Sequence, residues 1–413
     1  MKKKIDIDQL KVGIYMEADV RDAAKGAVPS SSRNVLLLGK GMLIISANQI
    51  RRLKEAGLNE VTIDTTKGDD VEGGGGRVEA PAVIIPQERR KKALPKGREV
   101  PYKDKIKVAR KTKAAVTGAL KNVTKSVAMG GSMDSELLGK AGKLLTQSIF
   151  RNVDAMVGLT RIKEHDAYTA THCINVSVLV LAVAHTEGAD QETCEMLAKA
   201  TLLHDIGKTK VPLEILNKPG RFEPHELAEM RKHTQYSEEI LRDMPGVTDE
   251  ILFIASQHHE MLDGSGYPNK LKGEEIARYG NLTAIADVYD ALTSARVYKP
   301  ALPPYYALGR IYGNKEKEFR SDLVDLFVKS LGLFPVGSLV ELNTEEIGIV
   351  TEPNPESPRK PKIGIMMTRY KKWRQVPLVI DLEEGNEDRR IVKVLDPTKF
   401  EIDIDRMLKA ATG

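Results

Sequence analysis

Cysteine is nearly missing from this chain: Cys173 and Cys194 are the only two in 413 residues. Both fall in helical-looking stretches, which argues against a disulfide framework and for a reducing compartment, so a cytoplasmic location is expected. The lysine-rich start, Met1-Lys2-Lys3-Lys4, has no apolar run behind it, and a secretory signal is not expected. Nor is a membrane span: the best stretch, Cys173 to Ala184, falls short of the roughly 20 residues required and contains Asn175 and Ser177. Four consecutive glycines, Gly73 to Gly76, lack the strand before and the Lys-Ser/Thr after that a phosphate cradle needs. They read as a flexible linker. A receiver-domain pattern is also lacking ahead of the helical part of the chain.

What is present is ordinary in bulk and uneven in detail. A chain with 41% hydrophobic and 29% charged residues suits two or three globular domains. The net charge of +5 conceals a segment from Arg89 to Lys125 that alone carries fourteen Lys/Arg against two acids. Its simplest reading is a solvated linker and helix face, and nucleic acid is not an expected partner.

The periodicity divides the chain into four parts. Residues 1–66 read as a small α+β module, with short strands within 4–20, a helix from Ser46 to Gly57 and a strand at Val61-Thr62-Ile63. Residues 67–130 read as a flexible linker and a basic helix over Lys105 to Val127. Residues 131–334 are almost wholly helical, with helices near 135–157, 174–183, 192–204, 225–243, 249–260 and 281–294. Residues 335–413 form a β-rich appendage, with strands at Ser338–Leu342, Ile347–Thr351, Ile363–Thr368 and Leu378–Leu382. Its basic tip, Arg369 to Arg374, holds the single tryptophan, Trp373.

The polar exceptions within the helical part carry the chemistry. His172, His204-Asp205, His233, His258-His259 and Asp287 come from five predicted helices of one bundle. Side chains converging from facing helices are how bundles build metal sites. This many imidazoles and carboxylates exceeds what one tetrahedral zinc takes. The set suits two divalent metals with Asp205 as the bridge, and donors without thiolate favour iron or manganese.

Two stretches, Leu202-Leu203-His204-Asp205-Ile206-Gly207-Lys208 and His258-His259-Glu260-Met261-Leu262-Asp263-Gly264-Ser265-Gly266-Tyr267-Pro268, together resemble the HD-GYP family of phosphodiesterases. The likeness runs from about Tyr168 to Tyr306. It implies a multidomain protein: an all-α HD-type helical bundle catalytic domain behind a small α+β module and ahead of the β-rich appendage. It implies metal ligands at His172, His204, Asp205, His233, His258, His259 and Asp287. Asp205 and Lys208 are then catalytic, with Lys208 at the scissile phosphate, and Tyr267, Arg296 and Lys299 face the nucleotide.

The resemblance further implies hydrolysis of cyclic di-GMP to pGpG, or on to GMP, through a hydroxide bridging the metals. Tyr168 stands where some members carry a third-metal glutamate, which favours two metals. Ser237 and Phe319-Arg320-Ser321 also depart from the pattern, and neither is expected to touch a ligand. His165-Asp166 lacks the Gly-Lys that follows the other His-Asp, and it is set aside together with His185 and His225. The alternatives are a cyclic di-GMP-responsive scaffold contacting diguanylate cyclases (GGDEF proteins) and a hydrolase of another cyclic dinucleotide. A homodimer stays open.

Overall fold

The computed structural model describes residues 2–10, 15–17, 42–43, 54 and 60–64, and then 102–412 apart from 162–167, 243, 295–300, 355–356, 386–387, 398–399, 401 and 403. The chain forms two compact units, residues 1–94 with 272–277 and residues 95–271 with 278–413. In the first, strands β1 (Lys2–Asp6), β2 (Tyr15–Glu17), β3 (Met42–Leu43) and β4 (Glu60–Asp64) make an antiparallel sheet in the order β1-β4-β2-β3. Ile5, Ile7, Leu10, Val61 and Ile63 are its buried side chains. Of the helix expected over Ser46 to Gly57 only Lys54 is among the described residues, where it is helical, and the Gly73 to Gly76 linker lies outside them.

The second unit begins with α1 (Tyr102–Ala128), the basic helix. Ile106, Ala109, Val116, Leu120 and Val123, with the buried Thr112 between the second and third, recur every three or four residues, and the stripe is buried against α2 (Ser135–Thr160). Composition groups α1 with a linker because its lysines dominate. Apart from Lys113, which is half-buried, the described lysines lie mostly on the other faces, and the apolar stripe belongs to the bundle core. Asp134 caps α2 by accepting the Leu137 N–H at 2.9 Å, and α2 kinks at Asn152, whose backbone leaves helical geometry.

At the centre lies α3 (Tyr168–Glu187), buried from His172 to Ala184. Among the described residues it holds the one stretch long and apolar enough to cross a membrane, and 72% of that stretch is buried. Around it stand α4 (Gln191–Leu203), the short α5 (Leu213–Leu216), α6 (Pro224–Arg231), α7 (His233–Arg242), α8 (Asp249–Ser256), α9 (Arg278–Thr293), α10 (Pro304–Gly313) and α11 (Ser321–Leu331). The single helix expected over 225–243 is two. Lys232 closes α6 with tightened bonds to the Glu229 and Met230 carbonyls, and His233 starts a new helix.

Beyond Pro335 come β5 (Leu339–Leu342), β6 (Ile347–Glu352), β7 (Lys362–Met367), β8 (Trp373–Asp381), β9 (Ile391–Leu395) and α12 (Ile404–Thr412). The antiparallel order is β8-β7-β6-β5-β9. Leu339, Ile347, Ile349 and Met366 join the helical core, while Val340, Val350, Ile363 and Ile365 build a small second one. The sheet thus rests on the bundle through one face.

If α1 is a core helix, Val116→Asp, at a fully buried position, should destabilise the protein by roughly 3 kcal/mol or more. Val108→Asp, at a position 50% exposed on the same helix, should stay within about 0.5 kcal/mol. Urea titration of both variants checks this contrast.

Candidate metal centre

Three of the five segments deliver histidine by the same local device. His204 caps the C-terminus of α4, His233 opens α7, and His258 follows α8. Each ring turns back to the carbonyl three residues earlier: Nδ1 lies 2.6 Å from Thr201 O, 2.7 Å from Met230 O and 2.5 Å from Ala255 O, respectively. A carbonyl only accepts, so each Nδ1 carries the proton and each Nε2 presents a lone pair. These nitrogens all approach the Asp205 carboxylate.

Asp205, 2% exposed, stands between two groups. Its Oδ2 is 3.4 Å from His204 Nε2 and 3.7 Å from His172 Nε2, on the side where Asp287 also lies. Its Oδ1 is 3.4 Å from His233 Nε2 and 3.8 Å from His258 Nε2, on the side shared with His259. Asp287 spans the same pair of groups, with Oδ1 2.9 Å from His172 Nε2 and Oδ2 3.7 Å from His259 Nδ1. His204 Nε2 and Asp205 Oδ1 are buried without a hydrogen-bond partner. Buried polar atoms left unpaired are costly, and cations between the two groups would satisfy both, so these residues fit a metal centre.

The electrostatics agree. Burial works to raise the Asp205 carboxyl, but Lys208, His204 and His233 hold it well below the usual carboxylate range. Burial opposes charge on His172 too, yet the Asp287 and Asp290 carboxylates at its two nitrogens push it up to about 9. Burial drives His258 well down and, partly offset by Asp287, brings His259 to about 3. Neutral His258 and His259 beside an ionised Asp205 are the protonation states that metal binding requires, whereas His172 holds a proton that a cation at its Nε2 would displace. Cys173 lies close to His204 and Asp205, but burial pushes its thiol up, away from the thiolate that ligates.

Residues beyond the expected set hold these groups. Asp290 accepts from His172 Nδ1 at 2.7 Å, one helical turn past Asp287 on α9. Glu260 accepts from the backbone N–H groups of Asn269 at 2.7 Å and Leu271 at 3.0 Å, anchoring the glycine-rich loop. Ser237 was expected to touch no ligand. Its hydroxyl donates to the His204 carbonyl and accepts the Gly207 N–H, each at 2.9 Å, because glycine at 207 lets α7 press on this turn. A Cβ at Gly207 would sit 2.0 Å from His233 O, and one at Gly266 would meet Glu260 Cα at 2.5 Å. The spacing of Asp287 and Asp290 and the acid next to the histidine pair were the available signals for Asp290 and Glu260.

Lys208 Nζ lies 2.5 Å from Asp205 Oδ2, and although burial lowers its pKa the carboxylate raises it further, keeping the ammonium charged. Tyr267 stacks its ring on His259 at 4.6 Å, with the Arg231 guanidinium 5.0 Å from the Tyr267 ring centre. That stacking supports His259 directly. Arg296, Lys299, His165-Asp166 and the Tyr168 side chain lie outside the described residues. His185 packs on Phe150 near the far end of α3, and His225 is exposed.

Replacing one Glu260 oxygen by an amide nitrogen sets a donor against a donor. Glu260→Gln should cost on the order of 2 kcal/mol and speed amide exchange at Asn269 and Leu271, as read by hydrogen–deuterium exchange.

Three family models match the chain. An HD domain model matches residues 143–322, a model of a domain of unknown function matches 2–138, and a model of a KOW domain associated with HD domain matches 339–402. A cyclic di-GMP phosphodiesterase of Pseudomonas aeruginosa is 30% identical over 392 residues, covering 95% of this chain and 92% of that protein. A 3′3′-cGAMP-specific phosphodiesterase of Vibrio cholerae is 36% identical over 44% of this chain and 37% of its own length. A cyclic di-GMP phosphodiesterase response regulator of Xanthomonas campestris is 34% identical over 41% and 45%. With one relative aligned nearly end to end and the His-Asp and Gly-Tyr-Pro segments meeting at one buried centre, the chain belongs to the HD-GYP family of HD-domain phosphodiesterases.

Proposed function

We propose that this chain is a metal-dependent phosphodiesterase that opens cyclic di-GMP to linear pGpG. The observation that carries this reading is Asp205, one oxygen turned to each histidine group. His172, His204, Asp205 and Asp287 would hold one divalent cation, and Asp205, His233, His258 and His259 a second. The thiolate-free donor set suits iron or manganese. Such cations neutralise a phosphodiester and acidify water enough to attack it near neutral pH.

The chain's own residues do the rest. Lys208, charged and with its side chain 23% exposed, is placed to meet negative charge gathering on the phosphate. Tyr267 and Glu260 hold the loop and His259 in place, so the donors need little rearrangement when an anion arrives. Arg296 and Lys299 keep the nucleotide-facing role that their match to the family motif gives them.

A second reading keeps the chemistry and changes a base. Relatives specific for 3′3′-cGAMP share the catalytic segment, while the relative aligned over almost the whole chain acts on cyclic di-GMP.

Protein purified without oxygen should contain about two metals per chain and hydrolyse cyclic di-GMP faster than 3′3′-cGAMP. Asp205→Ala should lower turnover by more than the roughly 10–100-fold typical of residues that only support ligands. Metal content and product analysis on the same sample check both. Bound metal without turnover of either dinucleotide, in reduced protein supplied with Mn²⁺, would instead indicate a cyclic di-GMP-responsive binding module.

A further inference from the structure

The basic helix α1 sends one lysine inward. Lys113 Nζ donates to Leu159 O at 3.0 Å and to Asn175 Oδ1 at 3.1 Å. Asn175 Nδ2 in turn donates to Asp290 Oδ1 at 2.9 Å, and the other Asp290 oxygen accepts from His172 Nδ1 at 2.7 Å. Asn175, Asp290 and His172 are 1%, 2% and 4% exposed, so water does not compete along the inner part of this line.

The polarity of the line is fixed by chemistry. An ammonium only donates and a carboxylate only accepts. The Asn175 oxygen must therefore face Lys113 and its NH2 must face Asp290. Asn175 Nδ2 also donates to Thr160 O at 3.5 Å, so the amide keeps its orientation without the ammonium, but its buried oxygen then loses the charged donor that ties it to α1. The partner that orients the His172 ring is held less firmly.

We propose that Lys113 is a positioning residue for the metal centre, acting through Asn175 and Asp290 on His172, so that the seating of α1 on the bundle sets the centre's affinity for metal. This deepens the metal-centre reading above and rests on it. Helix α1 is the first element of the second unit.

The test compares Lys113→Met, which keeps the length and removes the charge, with Lys113→Arg, which keeps the charge, and with Lys111→Met at an exposed position on the same helix. Manganese affinity is measured by competition with a chelator on full-length protein. Thermal stability of the metal-free and metal-loaded forms is measured alongside it. Lys113→Met should weaken manganese binding about tenfold, the lower end of what ligand-supporting residues contribute, with Lys111→Met unchanged and Lys113→Arg largely restored. It should also lower the stability of the metal-loaded form more than that of the metal-free form.

Unchanged affinity overturns the proposal. So does an equal loss of stability in both forms, which would make Lys113 a packing residue only. A wild-type protein that binds no manganese or iron would refute the metal centre itself. In that case ¹⁵N spectra of histidine-labelled metal-free protein still test the line, since Lys113→Met must shift the His172 Nδ1 resonance and an unmoved resonance overturns it.

Discussion

One buried anion organises this molecule. The Asp205 carboxylate sits in the core at the junction of α4 and the turn ending at Lys210, and an isolated charge there would be prohibitively expensive. It is tolerated because Lys208 stands on one oxygen and imidazole nitrogens face both. The imidazoles are delivered by α3, α4, α7 and the end of α8, so the arrangement of these helices around Asp205 is as much an electrostatic requirement as a packing one. Gly207 and Ser237 are consequences, since α7 must come within touching distance of the His-Asp turn.

The placement of histidines at helix ends has its own logic. Inside a helix the carbonyl three residues back is near its own backbone partner, whereas at the last turn carbonyls are left over. His204 and His258 use such carbonyls to fix their rings, so one hydrogen bond satisfies a terminal acceptor and selects the tautomer. His172, embedded within α3, has no spare carbonyl and relies on a carboxylate from α9. The difference explains why only this histidine depends on a chain of side chains running out towards α1.

The parts legible in the sequence were those whose meaning is local. His204-Asp205 before Gly207-Lys208, and His258-His259 before Gly266-Tyr267-Pro268, are unusual enough as strings to be recognised, and the apolar periodicity of α2 and α3 gave the bundle around them. Asp290, Glu260 and Lys113 were not legible, because a second aspartate on a helix, an acid beside histidines and one lysine among many are common in isolation. Their roles arise only when distant elements dock. The basic composition of α1 likewise masked a stripe of five apolar residues. The last strand and last helix, β9 and α12, were overlooked because charged residues interrupt their apolar patterns.

The two halves of the centre differ in how much chain they enclose. His233, His258 and His259 are contributed by α7, α8 and the turn after it, neighbours in sequence that pack on each other. His172, His204 and Asp287 are drawn from α3, α4 and α9, which bracket that whole region. Closing a short loop costs less entropy than closing a long one. A chain emerging during synthesis has the three-histidine half available first, and the other half exists only after α9 has been made, so that full occupancy of the centre reports that α9 has docked beside α3 and α4.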